Sequence, residues 1–272
     1  MAITSGDTYI ASSKQIIPFT KTASVTPSGN TLRYGVFATA GNPGAGTLAL
    51  TTALTGVVPD DSVAGYPIIN AFGSGNTGYL SRVQYANTVS GRMEIWDKVF
   101  GMGFACSTLQ TLTLASQADY STRIPGGNYS GLRLFLEITT TFSGTATTVT
   151  VTYTNQSGAT GHTTGTTSSL SGFTANRWVE LPLQAGDSGV QKIETVVIGG
   201  ATNTNGVANI LVCRPLWTNR VNLANGGGLD GLDRTGMPIV YGNSALTLTV
   251  VADATSTGIP DLNIEIANGY LR

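Results

Sequence analysis

The sequence predicts an all-β fold: an antiparallel β-sandwich or jelly-roll-like body with an extended N-terminal arm. Three observations carry this expectation. Thirty-five Gly and ten Pro among 272 residues cut the chain into short segments with turn formers between them. The segments are rich in Thr and Val, whose branched side chains suit a pleated, half-buried strand. Apolar and polar residues alternate within them, and no stretch of a dozen residues keeps the i, i+3, i+4 spacing of an amphipathic helix.

Taken in order, residues 1–50 carry few apolar side chains, and "VTPSGN" and "TAGNPGAGT" punctuate them with turn residues. Alone, such a segment buries too little to offset its ordering entropy, so it is expected as an arm over the body or over a neighbouring subunit. The body is expected over residues 51–222. It opens with the strand candidates "GYPIINAF", "GYLSRVQYA" and "RMEIWDKVF", separated by "GSGN" and "TVSG", and "MEIWDKVFGMGF" leaves room for one helical turn. A longer series follows: "STLQTLTLA", "GLRLFLEITTTF", "TTVTVTYT", "RWVELPLQ", "IETVVIGG" and "VANILVCRPL". Strands at this spacing with turns between them suggest a sandwich. In residues 223–272 the loop "ANGGGLDGLDRTGMP" precedes "ALTLTVVAD" and "LNIEIANGYL", two strands that close the sandwich or pair with a neighbour. No period of 20 to 50 residues recurs, which disfavours solenoids and propellers.

Charged residues make up 11% of the chain, against roughly 25% in ordinary soluble domains. Thr, Ser, Asn and Gly replace them, so the surface is polar but barely ionic and repels its own copies little. That suits a chain packed against neighbours. A net charge of −1 with no Lys/Arg cluster argues against direct nucleic-acid binding. No apolar run approaches the roughly 20 residues that span a bilayer, and "MAITSGDTYI" lacks the layout of a signal peptide, so folding in a cytoplasm is expected. There, Cys106 and Cys213 are most simply buried thiols, with their pairing left open.

Candidate chemistry is thin. His162 is the only histidine, and a hydrolytic triad needs one as base. It follows the strand in which Val149, Val151 and Tyr153 alternate with threonines, in the polar run "TGHTTGTTSS" with no acid nearby in sequence, and reads as an exposed hairpin residue. Glu94 and Asp97 flank Trp96, and Glu137 ends an apolar run, but alternation puts Glu94 and Trp96 on one side of a strand and Asp97 on the other, a poor glycosidase pair. "NGGGLDGLD", Asn225–Asp233, matches one turn of a calcium-binding nonapeptide that works only in stacked copies; a Gly-rich loop whose Asp residues cap their own turns is the simpler reading. Three dispersed Cys and His residues cannot make a structural zinc site. No catalytic, cofactor-binding or metal residue is assigned, and no cofactor is expected.

The stretches "YLSRVQYANTVSGRMEIWDKVF", "LFLEITTTFSGTATTVTVTYTNQSGATG" and "VELPLQAGDSGVQKIETVVIGGATNTNGVANILVCRPL" together resemble a recurrent type of tailed-bacteriophage virion protein, encoded among head and structural genes. The residues that carry the resemblance are Trp96 and Asp97, Glu137, Tyr153 through Gly158, Leu181 through Val190, and Arg214 through Leu216, within about residues 78–216. In "AGDSGV", Gly186 and Gly189 are expected to allow positive φ and Asp187 to accept from backbone amides. Arg214 is expected to pair with a carboxylate such as Glu137 or Asp187. The resemblance implies a non-enzymatic virion protein, first of all a capsid decoration or cement protein. Its partner would be the major capsid protein, and a homo-oligomer, with a trimer as first choice, would match the local three-fold joints of a shell. The alternative is a tail or head-fibre module that binds host surface glycans, to which ten Tyr and three Trp and the polar loops around His162 and Asp230 would contribute. An enzyme that degrades capsule or cell wall finds no motif.

Overall fold

The computed structural model describes residues 3, 5–26 and 30–269. The fold is all-β, built from antiparallel sheets, in the sandwich or jelly-roll-like class that the alternation predicts. In chain order the strands are β1 (Lys14–Lys21), β2 (Arg33–Gly35), β3 (Gly41–Asn42), β4 (Thr77–Asn87), β5 (Gly91–Ala105), β6 (Gln110–Thr113), β7 (Arg133–Thr140) and β8 (Thr147–Asn155). They continue with β9 (His162–Thr163), β10 (Arg177–Leu181), β11 (Val190–Gly200), β12 (Val207–Val221), β13 (Gly226–Asp230), β14 (Ile239–Val240), β15 (Leu246–Ala252) and β16 (Pro260–Gly269). The α-helices are α1 (Gly6–Ala11) and α2 (Leu232–Thr235).

The chain divides into two compact units, one of Met1–Thr47, Asp60–Asp97 and Leu216–Arg272, the other of Leu48–Pro59 and Lys98–Pro215. The long strands β5 and β12 each begin in one unit and end in the other.

In the first unit a sheet runs β13-β4-β16-β1-β3, with β14 also on β4, while β15 pairs with β2 and with the start of β5. Ile17 and Phe19 of β1, Leu80 and Val83 of β4, and Ile264 and Ile266 of β16 share one core with Met93 and Ile95 of β5 and Leu246, Leu248 and Val250 of β15. Residues 14–21 of the segment read as an arm thus form a strand in register with β16, Ile17 opposite Ile264. Helix α1, which the sequence does not announce, is held by a capping box. Ser5 Oγ accepts from Thr8 N at 3.2 Å, and Thr8 Oγ1 accepts from Ser5 N at 2.9 Å. At its other end Lys14 Nζ donates to the carbonyls of Tyr9, Ile10 and Ser12.

In the second unit β7 lies between β10 and β12, and a second sheet runs β6-β11-β8-β9. Leu134, Leu136 and Ile138 of β7 and Ile210 and Val212 of β12 pack with Val149, Val151 and Tyr153 of β8 and Ile193, Val196 and Ile198 of β11. Strand alternation therefore turns Glu137, between Leu136 and Ile138, to the opposite face of β7. It stands directly across from Trp178 on one side and Asn209 on the other.

The structure corrects four local expectations. "MEIWDKVFGMGF" is strand throughout, because both of its faces are buried and a helical turn would break its ladder. "GYPIINAF" is not a strand; side chains hold its backbone, with Asp61 Oδ2 accepting from Ile69 N, and Gln15 binding both Ile68 O and Asn70 N. The Gly-rich start of "NGGGLDGLD" is β13, paired with β4, rather than a loop. Gly186 takes the expected positive φ, but Gly189 does not. Its requirement is close approach, since a Cβ there would lie 1.9 Å from Tyr129 O. The turn residues 27–29 and the end of "LNIEIANGYL" from residue 270 lie outside the described residues.

That approach sets a test. Gly189→Ala is expected to lower the unfolding free energy by about 2 kcal/mol, as overpacking does, whereas Gly165→Ala, which has nothing within 4 Å of its Cβ, is expected to stay within roughly 0.5 kcal/mol of the wild type. Urea unfolding of the two variants measures the difference.

Candidate functional site

In a chain this poor in charge, the carboxylates that lie inside are the groups to account for, because a buried charge is costly unless it is paired and hydrogen-bonded. Glu137 is fully enclosed. Its Oε1 accepts from Lys98 Nζ at 2.9 Å and from Trp178 Nε1 at 3.0 Å, and its Oε2 accepts from Asn209 Nδ2 at 2.8 Å. Lys98, Glu137 and Asn209 are each 1% exposed or less. Lys98 Nζ also sits 5.1 Å from the centre of the Trp178 ring, and Asn209 Nδ2 donates a second bond to Leu48 O at 2.7 Å. Gly103 makes room for the Leu48–Thr51 segment: a Cβ there would lie 2.8 Å from Leu50 O and 3.2 Å from Asn209 Oδ1. Among the described residues, Asn209 Oδ1 is buried with no hydrogen-bond donor.

A second cluster joins the two turns that carry much of the resemblance. Asp187 Oδ2 accepts from Tyr153 Oη at 2.7 Å and from His162 Nδ1 at 2.8 Å, and its Oδ1 accepts from Asn155 Nδ2 at 2.8 Å. Desolvation would raise the Asp187 pKa, but the bonds from Tyr153, Asn155 and His162 outweigh it and hold the carboxyl below its usual value. The ionised carboxylate fixes Nδ1 of His162 as the protonated nitrogen. Tyr153, by burial first and then by its bond to Asp187, has its phenol pushed up to about 12. Its oxygen accepts from Gln184 N at 2.7 Å. Asn155 Oδ1 accepts from the amides of Ser157 and Ala159, which closes the "NQSGA" turn.

His162 is therefore not a bare hairpin residue. It lies in β9 opposite Tyr153, and folding supplies an acid 25 residues away that no local pattern announces. A histidine oriented by an aspartate is the base half of a hydrolytic triad. Among the described residues, however, no serine, threonine or cysteine side chain shares a hydrogen bond with it. Asp187 binds side chains where backbone amides were expected. Arg214, the expected partner of Glu137 or Asp187, lies buried in β12.

The remaining candidates do not converge. Glu94 and Trp96 do lie on the same side, and both bond Thr249: its hydroxyl donates to Glu94 Oε2 at 2.9 Å and accepts from Trp96 Nε1 at 2.9 Å. Glu94 also takes Arg33 Nε at 2.6 Å and Arg92 Nε at 2.8 Å. Burial pulls its pKa upward, yet the Arg33 bond and charge, with Thr249 and Arg92, hold it below the usual value. Asp97 accepts instead from Ser244 Oγ at 3.0 Å and Ala245 N at 3.1 Å. Asp230 of β13 does not cap its own turn; its Oδ2 accepts from Trp217 Nε1 and Asn219 Nδ2, each at 2.7 Å. Among the described residues no group of three or more His, Cys, Asp or Glu side chains could hold a metal ion. Both cysteines are buried, and burial pushes the Cys106 thiol up to about 12, far from a reactive thiolate at neutral pH.

Sequence reasoning found Glu137 but missed Lys98 and Asn209. The available signal was a single Lys or Asn inside a strand buried on both faces, as in "WDKVF" and "VANILV", because such a residue must have an internal partner. If Asp187 is the clasp between the two turns, Asp187→Ala leaves three donors unsatisfied. It is expected to lower the unfolding free energy by about 2–3 kcal/mol, with faster amide exchange in residues 156–163; unchanged exchange there would contradict the clasp.

No family model matches the chain, and no curated protein matches it. Among solved structures, the VP2 subviral particle of infectious bursal disease virus aligns at 10% identity over 94% of this chain and 80% of that chain, with a TM-score of 0.21. The structure of the Gt strain of infectious bursal disease virus aligns at 10% identity over 95% and 81%, with a TM-score of 0.17. At such scores neither likeness bears on the function of this chain. No helix among the described residues is long and apolar enough to cross a membrane.

Proposed function

We propose that the chain is a non-enzymatic structural protein of a bacteriophage virion, a capsid decoration or cement protein that contacts the major capsid protein and its own copies, as a trimer. One observation supports this above the others: the residues that carry the resemblance to phage virion proteins are engaged in holding the fold. Tyr153 and Asn155 of one turn bind Asp187 of another, Glu137 ties β7 to β10 and β12, and Asp97 binds Ser244 and Ala245. A carboxylate that acts on an external substrate needs a face open to it; these have internal donors on both oxygens.

The surface agrees with a life in contact. Charge is sparse, and in the first unit Ile16 and Ile68 remain 58% and 74% exposed along one groove whose lining includes Pro18 and Pro67. Apolar side chains of this kind would leave water in a shell contact. Buried area added across joints between capsomers means that opening a joint under the pressure of packaged DNA breaks more contacts. The glycan-binding alternative draws nothing from the three Trp, since Trp96, Trp178 and Trp217 are all buried, with their indole N–H groups on Thr249, Glu137 and Asp230. They offer no face on which a sugar could stack.

Heads that lack the protein are expected to release DNA at lower temperature and at low salt, and to regain wild-type resistance when purified protein is added. Protein that binds neither procapsids nor mature heads, with equal survival of heads made without it, would overturn the proposal.

A further inference from the structure

The cluster around Glu137 holds more than an ion pair. One carboxylate carries the primary amine of Lys98 on Oε1 and the carboxamide nitrogen of Asn209 on Oε2. Among the described residues the carboxamide oxygen is buried without a donor, a state that calls for a reason. The amine lies against the Trp178 ring in a site closed to water. An amine nucleophile, an amide electrophile with an unsatisfied oxygen, and a carboxyl group touching both nitrogens are the parts needed to exchange one amide for another.

The geometry points to an intramolecular amide bond between Lys98 Nζ and Asn209 Cγ, formed with loss of ammonia and assisted by Glu137. A proton first passes from the Lys98 ammonium to Glu137 across their 2.9 Å bond, which removes two opposite charges from a dry site. The neutral Nζ lone pair attacks Cγ, and the carbonyl π electrons move onto Oδ1. Glu137 gives its proton to Nδ2, which it already touches at 2.8 Å, and takes one from Nζ. As the oxyanion reforms the carbonyl, the Cγ–Nδ2 bond breaks. Ammonia leaves and carries the remaining proton out as ammonium, so Lys98 ammonium plus Asn209 carboxamide become secondary amide plus ammonium, with Glu137 again a carboxylate. No oxidant or cofactor enters the balance. The new N–H remains beside Glu137 and replaces the bond that Nδ2 made.

Aminolysis of an amide is very slow between free molecules. Held partners gain effective concentrations of about 10⁵–10⁸ M, and a positioned general acid–base adds roughly 10²–10⁴-fold. The product would join β5 to β12 covalently, and its existence does not depend on the proposed place of the protein in a virion.

Intact mass spectrometry of the purified full chain tests it. The expected mass is that of the sequence less one ammonia, with a branched tryptic peptide joining Lys98 to Asn209. Glu137→Gln is expected to show the full sequence mass with Lys98 and Asn209 in separate linear peptides, and circular dichroism of the same sample shows whether the sheets are kept. Wild-type protein of full mass, or an ammonia loss mapped elsewhere, overturns the bond. A Glu137→Gln protein carrying the bond as completely as the wild type overturns the role of Glu137.

Discussion

A carboxylate in the middle strand of a sheet, out of reach of water, must be met by donors from its neighbours, and the second unit is arranged around that requirement at Glu137. Donors come from β5, β10 and β12, and each side chain reaches it only in one register. A slip of one residue along β7 would turn Glu137 into the Val and Ile layer of the sandwich and Leu136 or Ile138 out of it. The polar node and the apolar core thus specify the same pairing from opposite faces of one strand. Asp187 does for the turns what Glu137 does for the strands, and Glu94, under Arg33, Arg92 and Thr249, does the same in the first unit.

This division of labour explains how a chain with so few charges keeps a defined fold. Many of its exposed positions carry hydroxyl and amide side chains that neither repel nor strongly attract, while Glu94, Asp97, Glu137 and Asp230 serve inside as acceptors. Satisfied networks of this kind rigidify a fold and select one arrangement. A covalent tie at Lys98 and Asn209 would extend the same logic, fixing β5 to β12 where the hydrogen bonds already hold them.

Much of the fold could be read locally. Val149, Val151 and Tyr153 alternate with threonines and are buried as the alternation requires, and "GLRLFLEITTTF", "IETVVIGG" and "VANILVCRPL" all contain strands. What escaped was set by partners distant in sequence. β1 looks too sparse for a core until β16, some 240 residues later, supplies its partner; "GYPIINAF" has the composition of a strand but is held by Asp61 and Gln15. The acid for His162 and the amide for Glu137 likewise arrive only through tertiary pairing. Residue types could be read from the sequence, but which of them meet could not.

The central claim is that the enclosed carboxylates are structural acceptors, and carboxyl carbon NMR titration of Glu94 and Asp187, whose donors hold the carboxyl below its usual value, tests it most directly. A carboxyl whose native pKa is depressed adds stability that is complete above its unfolded value and is lost as pH falls through the native value. Both groups are therefore expected to stay ionised through the range near pH 4 where exposed carboxylates titrate, and to protonate only below it. Titration of either group above that range, as a general acid would show, would contradict the account.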